Sequence, residues 1–408
     1  MKTALRVFII FSLGYFVSYL VRGINLPLAP LLSSELGLSP AQLGLLTSLY
    51  FFAFAACQLP LGVMLDRFGP RRVLMPLLVL AALGALVSAY AEGFSGLLMG
   101  RLLLGVGTSA CMMAGLKAII SWFDARHLPL MNGALYAIGG LGAVAVGVPV
   151  EWALSVTSWR VLFVTVAMLI GLIVLALFWL VPERSEAQAV SPIGSQWRGI
   201  AEVFRSPVFV RIAPLAMVSQ GVFLGVQGLW AGPYLRDVTQ LSPGAAANMV
   251  TIMGLAMVVG AVGFGWLGRR LHSHGIALQS TAVVGMLAFM LAQLLIVLEV
   301  PLPVWLLWSF YGFSGTAGVL CYASLAQEFP AQLAGRVSTL LTLALFIGAF
   351  IVQYGFGLLL NIWPHGDVFN AALAHRANWI LALGVQACAL LWFYRGKADR
   401  LMLNHVKA

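Results

Sequence analysis

Two basic residues stand where a hydrocarbon environment should exclude them. Arg22 is surrounded by apolar residues in Tyr19-Leu20-Val21-Arg22-Gly23-Ile24-Asn25-Leu26, and Lys117 lies in Gly115-Leu116-Lys117-Ala118-Ile119-Ile120, five residues before Trp122. A cation at the centre of a membrane helix costs about 2.5–3.5 kcal/mol, so such residues normally face a cavity or a partner. No acid falls inside the apolar stretches of the same half: Asp66, Asp124 and Glu92 lie at their ends, and Glu151 near the end of another. The missing negative charge is therefore expected to arrive with a substrate, and the two cations read as an anion clamp. Lys117 also has a blander reading, a lysine that snorkels from the end of its helix. Gln227, Trp230, Tyr322, Gln353 and Tyr354 sit in apolar stretches of the second half and are candidates for the opposite wall. Each alone reads as packing or interhelical hydrogen bonding; as a set they mark a cavity.

A second cluster is Gly62-Val63-Met64-Leu65-Asp66-Arg67-Phe68-Gly69-Pro70-Arg71-Arg72. Gly62 permits close helix approach, Gly69-Pro70 makes a turn, and Asp66 can accept from basic groups or from the N-terminal amides of a neighbouring helix. Gly62, Asp66, Arg67, Gly69, Arg71 and Arg72 are thus candidates for a latch that holds two helices in one conformation and releases them in another.

The elements that must position these groups are membrane helices. Of 408 residues, 61% are hydrophobic and 9% charged, and the mean hydropathy is +0.98, outside the range of soluble domains. Apolar runs of about 20 residues, each long enough to cross about 30 Å of hydrocarbon, recur along the chain. The expected spans are 7–32, 41–64, 73–91, 96–120, 131–152, 160–181, 211–235, 244–266, 276–299, 303–327, 337–362 and 377–394. The first is read as a retained span rather than a signal peptide, having no small-residue cleavage site. Of 23 Lys and Arg, 17 fall at the termini and in the loops that an even helix count puts on one side. Three fall on the other side (Arg160, Arg236, Arg376) and three within spans (Arg22, Arg101, Lys117). This asymmetry puts both termini in the cytoplasm and makes the net charge of +10 a topology signal rather than a nucleic-acid footprint.

The chain repeats itself at an offset of 203: Leu38-Ser39-Pro40 recurs as Leu241-Ser242-Pro243, Pro30 falls on Pro233 and Gly62 on Gly265. The stretch from Pro182 to Val210, with Glu183, Arg184, Glu186, Ser191, Pro192, Arg198 and Arg205, loses the apolar character on either side. The expected organisation is an N-terminal six-helix bundle at 1–181, a cytoplasmic linker at 182–210 and a C-terminal six-helix bundle at 211–408. Two such repeats can rock against each other around a midplane site. The glycines at Gly139-Gly140-Leu141-Gly142 and Gly147-Val148-Pro149 fit close helix packing, a hinge, or both.

The loop at 62–72 resembles the signature loop of the major facilitator superfamily, glycine-x-x-x-aspartate-arginine-x-glycine followed by two basic residues. Arg101, with Gly105 four residues on, is similar to an arginine of the superfamily's fourth helix and otherwise reads as a snorkelling interfacial residue. The resemblance implies an all-α membrane protein of twelve transmembrane helices in two six-helix repeats. A narrower resemblance covers roughly the first 125 residues: Tyr15 to Pro30 is similar to helix one of the organophosphate/phosphate antiporters and organic-anion symporters. It implies that Arg22 binds the substrate's anionic group, and Lys117 with Trp122 matches a basic residue in the same families. The chain departs from them in helix seven, where Ser219, Gln220, Gln227, Trp230 and Tyr234 stand and no cation occurs. It departs also at Val21, where the symporters have an aspartate, and it shows no helix-four acid. A monoanion such as a carboxylate fits these residues better than a doubly charged phosphate ester.

The expected function is secondary active transport of a small organic anion, carboxylate or phosphate-like, by alternating access in a bacterial inner membrane. A coupling proton or counter-anion and membrane lipid are the expected partners, with a monomer as the working unit. Only peripheral acids such as Glu151 and Glu328 are available to a proton relay, so anion exchange and symport of the substrate's own proton stand beside it. Proton-driven export of drug-like or metabolite compounds, and a transporter-like ligand sensor, are the competing readings. The chain has no phosphate-binding Gly-Lys-Ser loop and no Cys/His metal spacing, so no cofactor, metal or enzymatic role is expected, and His365 and His375 read as solvated.

Overall fold

The computed structural model describes residues 2–124, 127–183, 193–330, 333–363 and 368–406. Residues 184–192 of the expected linker, and His365, lie outside the described residues. Among the described residues every regular element is helical. Ten helices are long and apolar enough to cross a membrane, and a pair bent by 42° makes an eleventh span. One of the ten, Pro40–Ala89, is interrupted at Gly69 (φ 80°, ψ 163°), which divides it into two arms and brings the spans to twelve.

In chain order the spans are α1 (Lys2–Leu36), α2 (40–68), α3 (70–89), α4 (Phe94–Trp122), α5 (Leu130–Ala145 with Val148–Val156) and α6 (Trp159–Leu180). They continue as α7 (Pro207–Asp237), α8 (Pro243–Ser273), α9 (Leu278–Val297), α10 (Val304–Gln327), α11 (Gly335–Leu360) and α12 (Asn370–Arg395). A further amphipathic helix, Ile193–Arg205, stands inside the stretch expected to be a linker. The outward surface is apolar. Trp152 and Trp305 at one end, and Trp179 and Trp392 at the other, are each more than half exposed, as aromatic side chains are at the two boundaries of a bilayer. The chain is a multi-pass membrane protein.

The repeated tripeptide has a local cause. Ser39 is the N-cap of α2, its hydroxyl accepting from the Gln42 amide while the Gln42 side chain accepts from the Ser39 amide, and Pro40 opens the first turn. Ser242 caps α8 in the same way through the Ala245 amide, and Pro243 follows. Serine fills an amide that the helix leaves open, and proline has no amide to leave open. Ser39→Ala is expected to lower unfolding stability by about 1 kcal/mol, readable as a lower melting midpoint. A midpoint unchanged from wild type would show that the cap contributes nothing.

The α2–α3 turn is tighter than the sequence suggests, because one glycine makes it. Gly69 adopts a backbone conformation open essentially to glycine only, and Pro70 starts the next arm. In α5 the helix breaks at the second glycine stretch, Gly147-Val148-Pro149. Pro149 lacks the amide that would bond the Ala145 carbonyl, and the helix bends beside it.

We call the end carrying Gly69 the Gly69 face and the opposite end the far face. At the far face the halves close against each other through a glycine seam. A side chain on Gly44 of α2 would meet the Gln353 carbonyl of α11 at 3.0 Å, and one on Gly254 of α8 would meet Val144 of α5 at 3.2 Å. The Val148 amide donates to the Thr251 hydroxyl at 2.9 Å. Glu35 at the end of α1 accepts from the Trp159 indole at 2.8 Å and from Arg160 at 3.2 Å, fastening α1 to α6. His375, expected on a solvated surface, is buried instead, 3.8 Å from Asp237 and edge-on to the Tyr234 ring.

Candidate functional site

Between the halves lies a cavity of about 1060 Å³ that runs from the Gly69 face to Arg22. Its first-half wall comes from α1, α2, α4 and α5, and its second-half wall from α7, α8, α10 and α11. Tyr15, Tyr19 and Arg22 line it from α1 at spacings of four and three, one face of a helix. Beyond Arg22, towards the far face, lies a void of about 10 Å³, lined in part by Tyr19, Arg22 and Gln227.

Arg22 is 7% exposed, and its Nε has no hydrogen-bond partner among the described residues. Three rings surround the guanidinium: Tyr19 at 4.3 Å, Phe346 at 5.1 Å and Phe54 at 5.6 Å. Phe54 and Phe346 are stacked on each other at 4.3 Å, one ring from each half. Aromatic faces attract the cation, worth about 0.5–2 kcal/mol each, and they leave its Nε free for an anion. The segment carrying Arg22 is held in place from two sides. Asn25 donates to Thr47 at 2.9 Å, and the Tyr50 hydroxyl bonds Thr108 at 2.7 Å and the Ser18 carbonyl at 3.2 Å. Arg101 Nη1 donates to the Val21 carbonyl at 2.7 Å. Arg101 is 1% exposed, so it is a buried tie to α1 rather than a snorkelling residue. Gly105 lets α4 approach α2: a Cβ there would sit 2.5 Å from the Tyr50 carbonyl.

Lys117 lines the same cavity, but it is not an unpaired cation. Its ammonium donates to the Asp66 carboxylate. The expectation that the first-half cations lack an acidic partner is corrected here. Asp66 stands 51 positions earlier in the chain, beyond the end of the apolar run of α2. The helix continues past that run, and this carries Asp66 alongside α4.

Among the latch residues, Gly62, Asp66 and Gly69 line the cavity. Gly62, expected to permit close helix approach, has nothing within 4 Å of where a Cβ would stand, because the cavity is open there. Arg67 lies over the Phe68 ring at 5.3 Å, Arg71 donates to the Phe178 carbonyl of α6 at 2.8 Å, and Arg72 pairs with Glu183.

The second-half candidates divide. Tyr322 lines the cavity, its hydroxyl 2.9 Å from that of Thr342. Gln227 borders the small void, with its amide donating to the Met257 sulfur at 3.1 Å. Trp230 and Gln353 lie outside the cavity lining: the indole donates to the Gln353 carbonyl at 2.8 Å, and Gln353 donates to the Gly225 carbonyl at 3.2 Å. Both belong to the glycine seam, with the Trp230 ring against Gly44 and Gly357. Tyr354 packs against Phe350, also off the lining. Sequence reasoning missed Gln58, fully buried at the cavity wall with its Oε1 unpartnered, and the tyrosines Tyr15, Tyr19 and Tyr136. The helical spacing of Tyr15, Tyr19 and Arg22 was the signal available.

The Major Facilitator Superfamily model matches residues 11–353. A probable sulfoacetate transporter of Cupriavidus necator is 25% identical over 67% of this chain and 66% of its own length. A probable L-galactonate transporter of Escherichia coli is 33% identical over 38% of this chain and 34% of its own. The chain thus matches about two thirds and one third of the length of these relatives. Among solved structures, a bacterial homolog of the human lysosomal transporter Spinster, inward-facing and unoccupied, superposes with a TM-score of 0.78 at 16% identity, covering 98% of this chain and 97% of that one. That likeness is one of fold. With a family match over most of its length and twelve spans around a central cavity, the chain belongs to the Major Facilitator Superfamily.

Proposed function

We propose that this protein is a secondary active transporter of a small organic anion, working by alternating access with Arg22 as its anion-binding group. The observation that carries this reading is the buried Arg22 guanidinium, with an unpartnered Nε, at the closed end of the cavity. A desolvated cation held by neutral rings gains most from a ligand that brings the counter-charge. The names of the relatives, a sulfoacetate and an L-galactonate transporter, are those of organic-anion carriers and support the same class.

In this reading the two six-helix halves, 1–181 and 211–408, rock about the site, with 182–210 as the cytoplasmic connection. The loop charges favour a bacterial inner membrane with both termini cytoplasmic, so the cavity opens to the cytoplasm. The second species, proton or counter-anion, completes the cycle, and a monomer suffices because one chain encloses the cavity. Asp66 and Gly69 act as the latch that holds the Gly69 face when that face closes.

The test is thermal unfolding of the purified protein in detergent against organic phosphates, mono- and dicarboxylates, nitrate and cationic drugs. A ligand that binds the folded state raises the midpoint with concentration. One anion class is expected to do so. Stabilisation by cationic drugs and by no anion would replace this reading with drug export.

A further inference from the structure

The names of the relatives leave the valence of the anion undecided, since sulfoacetate carries two acidic groups and L-galactonate one. The cavity wall bears on it. Four charged side chains line the cavity among the described residues: Arg22, Asp66, Lys117 and Arg336. Arg336 stands at the rim, its guanidinium close against Gly199 of the amphipathic helix. Asp66 is thus the one carboxylate of the described lining, and it already neutralises Lys117.

Arg22 stands at the closed end of the cavity, and Lys117 lines the same cavity beside Asp66, towards the Gly69 face. An anion bound at Arg22 and extending along the cavity brings its far end towards Lys117. If that end is neutral or hydroxylated, the Lys117–Asp66 pair is undisturbed. If it is a second anionic group, it meets a lysine already neutralised by the Asp66 carboxylate.

We infer that Asp66 sets the valence of the anion: with Lys117 neutralised, the cavity takes a monoanion at Arg22 and discriminates against a dianion of the same length. This rests on Arg22 being the anion site. Discrimination here is by repulsion as much as by attraction. The pair is wet, with the Lys117 side chain 24% exposed and Asp66 58%. Like charges about 4 Å apart in water then change affinity about fivefold.

Matched acids that differ by one terminal carboxylate test this: D-gluconate with D-glucarate, hexanoate with adipate, and butyrate with succinate. Their binding to the purified full chain is measured by titration calorimetry in wild type, Asp66→Asn, Lys117→Gln and Arg22→Gln. Wild type is expected to prefer the monoacid in at least one pair. Asp66→Asn should raise affinity for the diacid about fivefold relative to the monoacid. Lys117→Gln, which leaves Asp66 unpaired, should lower diacid affinity while sparing the monoacid, and it tests the same point if Asp66→Asn does not fold. A diacid-to-monoacid ratio unchanged in both variants overturns the inference, as does a wild type that prefers diacids or binds no pair. Binding that survives Arg22→Gln is a separate outcome: it removes the anion site itself, whatever the ratios do.

Discussion

Arg22→Gln is expected to lower anion binding and uptake by about a hundredfold or more, with the melting midpoint within a few degrees of wild type. The two halves of this expectation have different causes. An anion drawn to the end of the cavity leaves water, and without the guanidinium it sits there unpaired, which costs about 3–5 kcal/mol. Glutamine offers at best neutral hydrogen bonds, each worth about 1 kcal/mol. The fold loses cation–π contacts with Tyr19, Phe54 and Phe346, but it also sheds a buried charge, and these terms offset. Proteoliposome uptake together with a melting curve separates them. Uptake near the wild-type rate in a folded Arg22→Gln protein would remove Arg22 from the mechanism; loss of uptake together with a collapsed midpoint would show a structural residue instead.

The second large effect lies at a residue off the cavity lining. Arg101 touches α1 through the Val21 carbonyl, the peptide immediately before Arg22, and its Nη2 is buried without a partner. Pro27 cannot donate to the Gly23 carbonyl, so this turn of α1 has lost part of its own ladder and depends on outside ties. In Arg101→Met the carbonyl loses its donor, at about 1–3 kcal/mol, while removal of a half-satisfied buried cation returns a similar amount. Stability is therefore expected to change little and transport to fall about tenfold or more, because Arg22 is no longer held in one position. Restored transport in Arg101→Lys, which keeps a donor, would support the tie. A large drop in midpoint with unchanged turnover per folded molecule would show that Arg101 serves folding alone.

What could be read from the residues followed physical strength of signal. Apolar length marked the spans, because a bilayer tolerates little else, and the family match and fold agree with twelve helices. Arg22 stood out because a mid-span charge is costly wherever it occurs. Pairing across helices was harder. Lys117 and Asp66 meet only because α2 outruns its apolar segment, and no local pattern announces that. Trp230 and Gln353 looked like cavity residues since polar groups in lipid need partners; the partners they found were backbone carbonyls, that of Gln353 for Trp230 and that of Gly225 for Gln353. Tyr15 and Tyr19 passed as ordinary aromatic residues, though their spacing to Arg22 puts all three on one helical face. The turn at Gly69-Pro70 was legible; the charges around it hid only that helix runs up to Gly69 on both sides.

The glycine seam at the far face bears on how such a carrier adapts. Where Gly44 meets the Gln353 carbonyl and Gly254 meets Val144, the backbones of the two halves approach so closely that an added Cβ would crowd its neighbours. Contacts this close are lost as soon as the halves part, so the packing here weighs on the balance between the two arrangements. A single methyl added at one of these positions therefore acts as a dial. It shifts the resting bias between the two arrangements, and with it the pace of turnover, while leaving every ligand contact untouched. Speed and selectivity can in this way drift independently over generations, the one set at the seam and the other around Arg22.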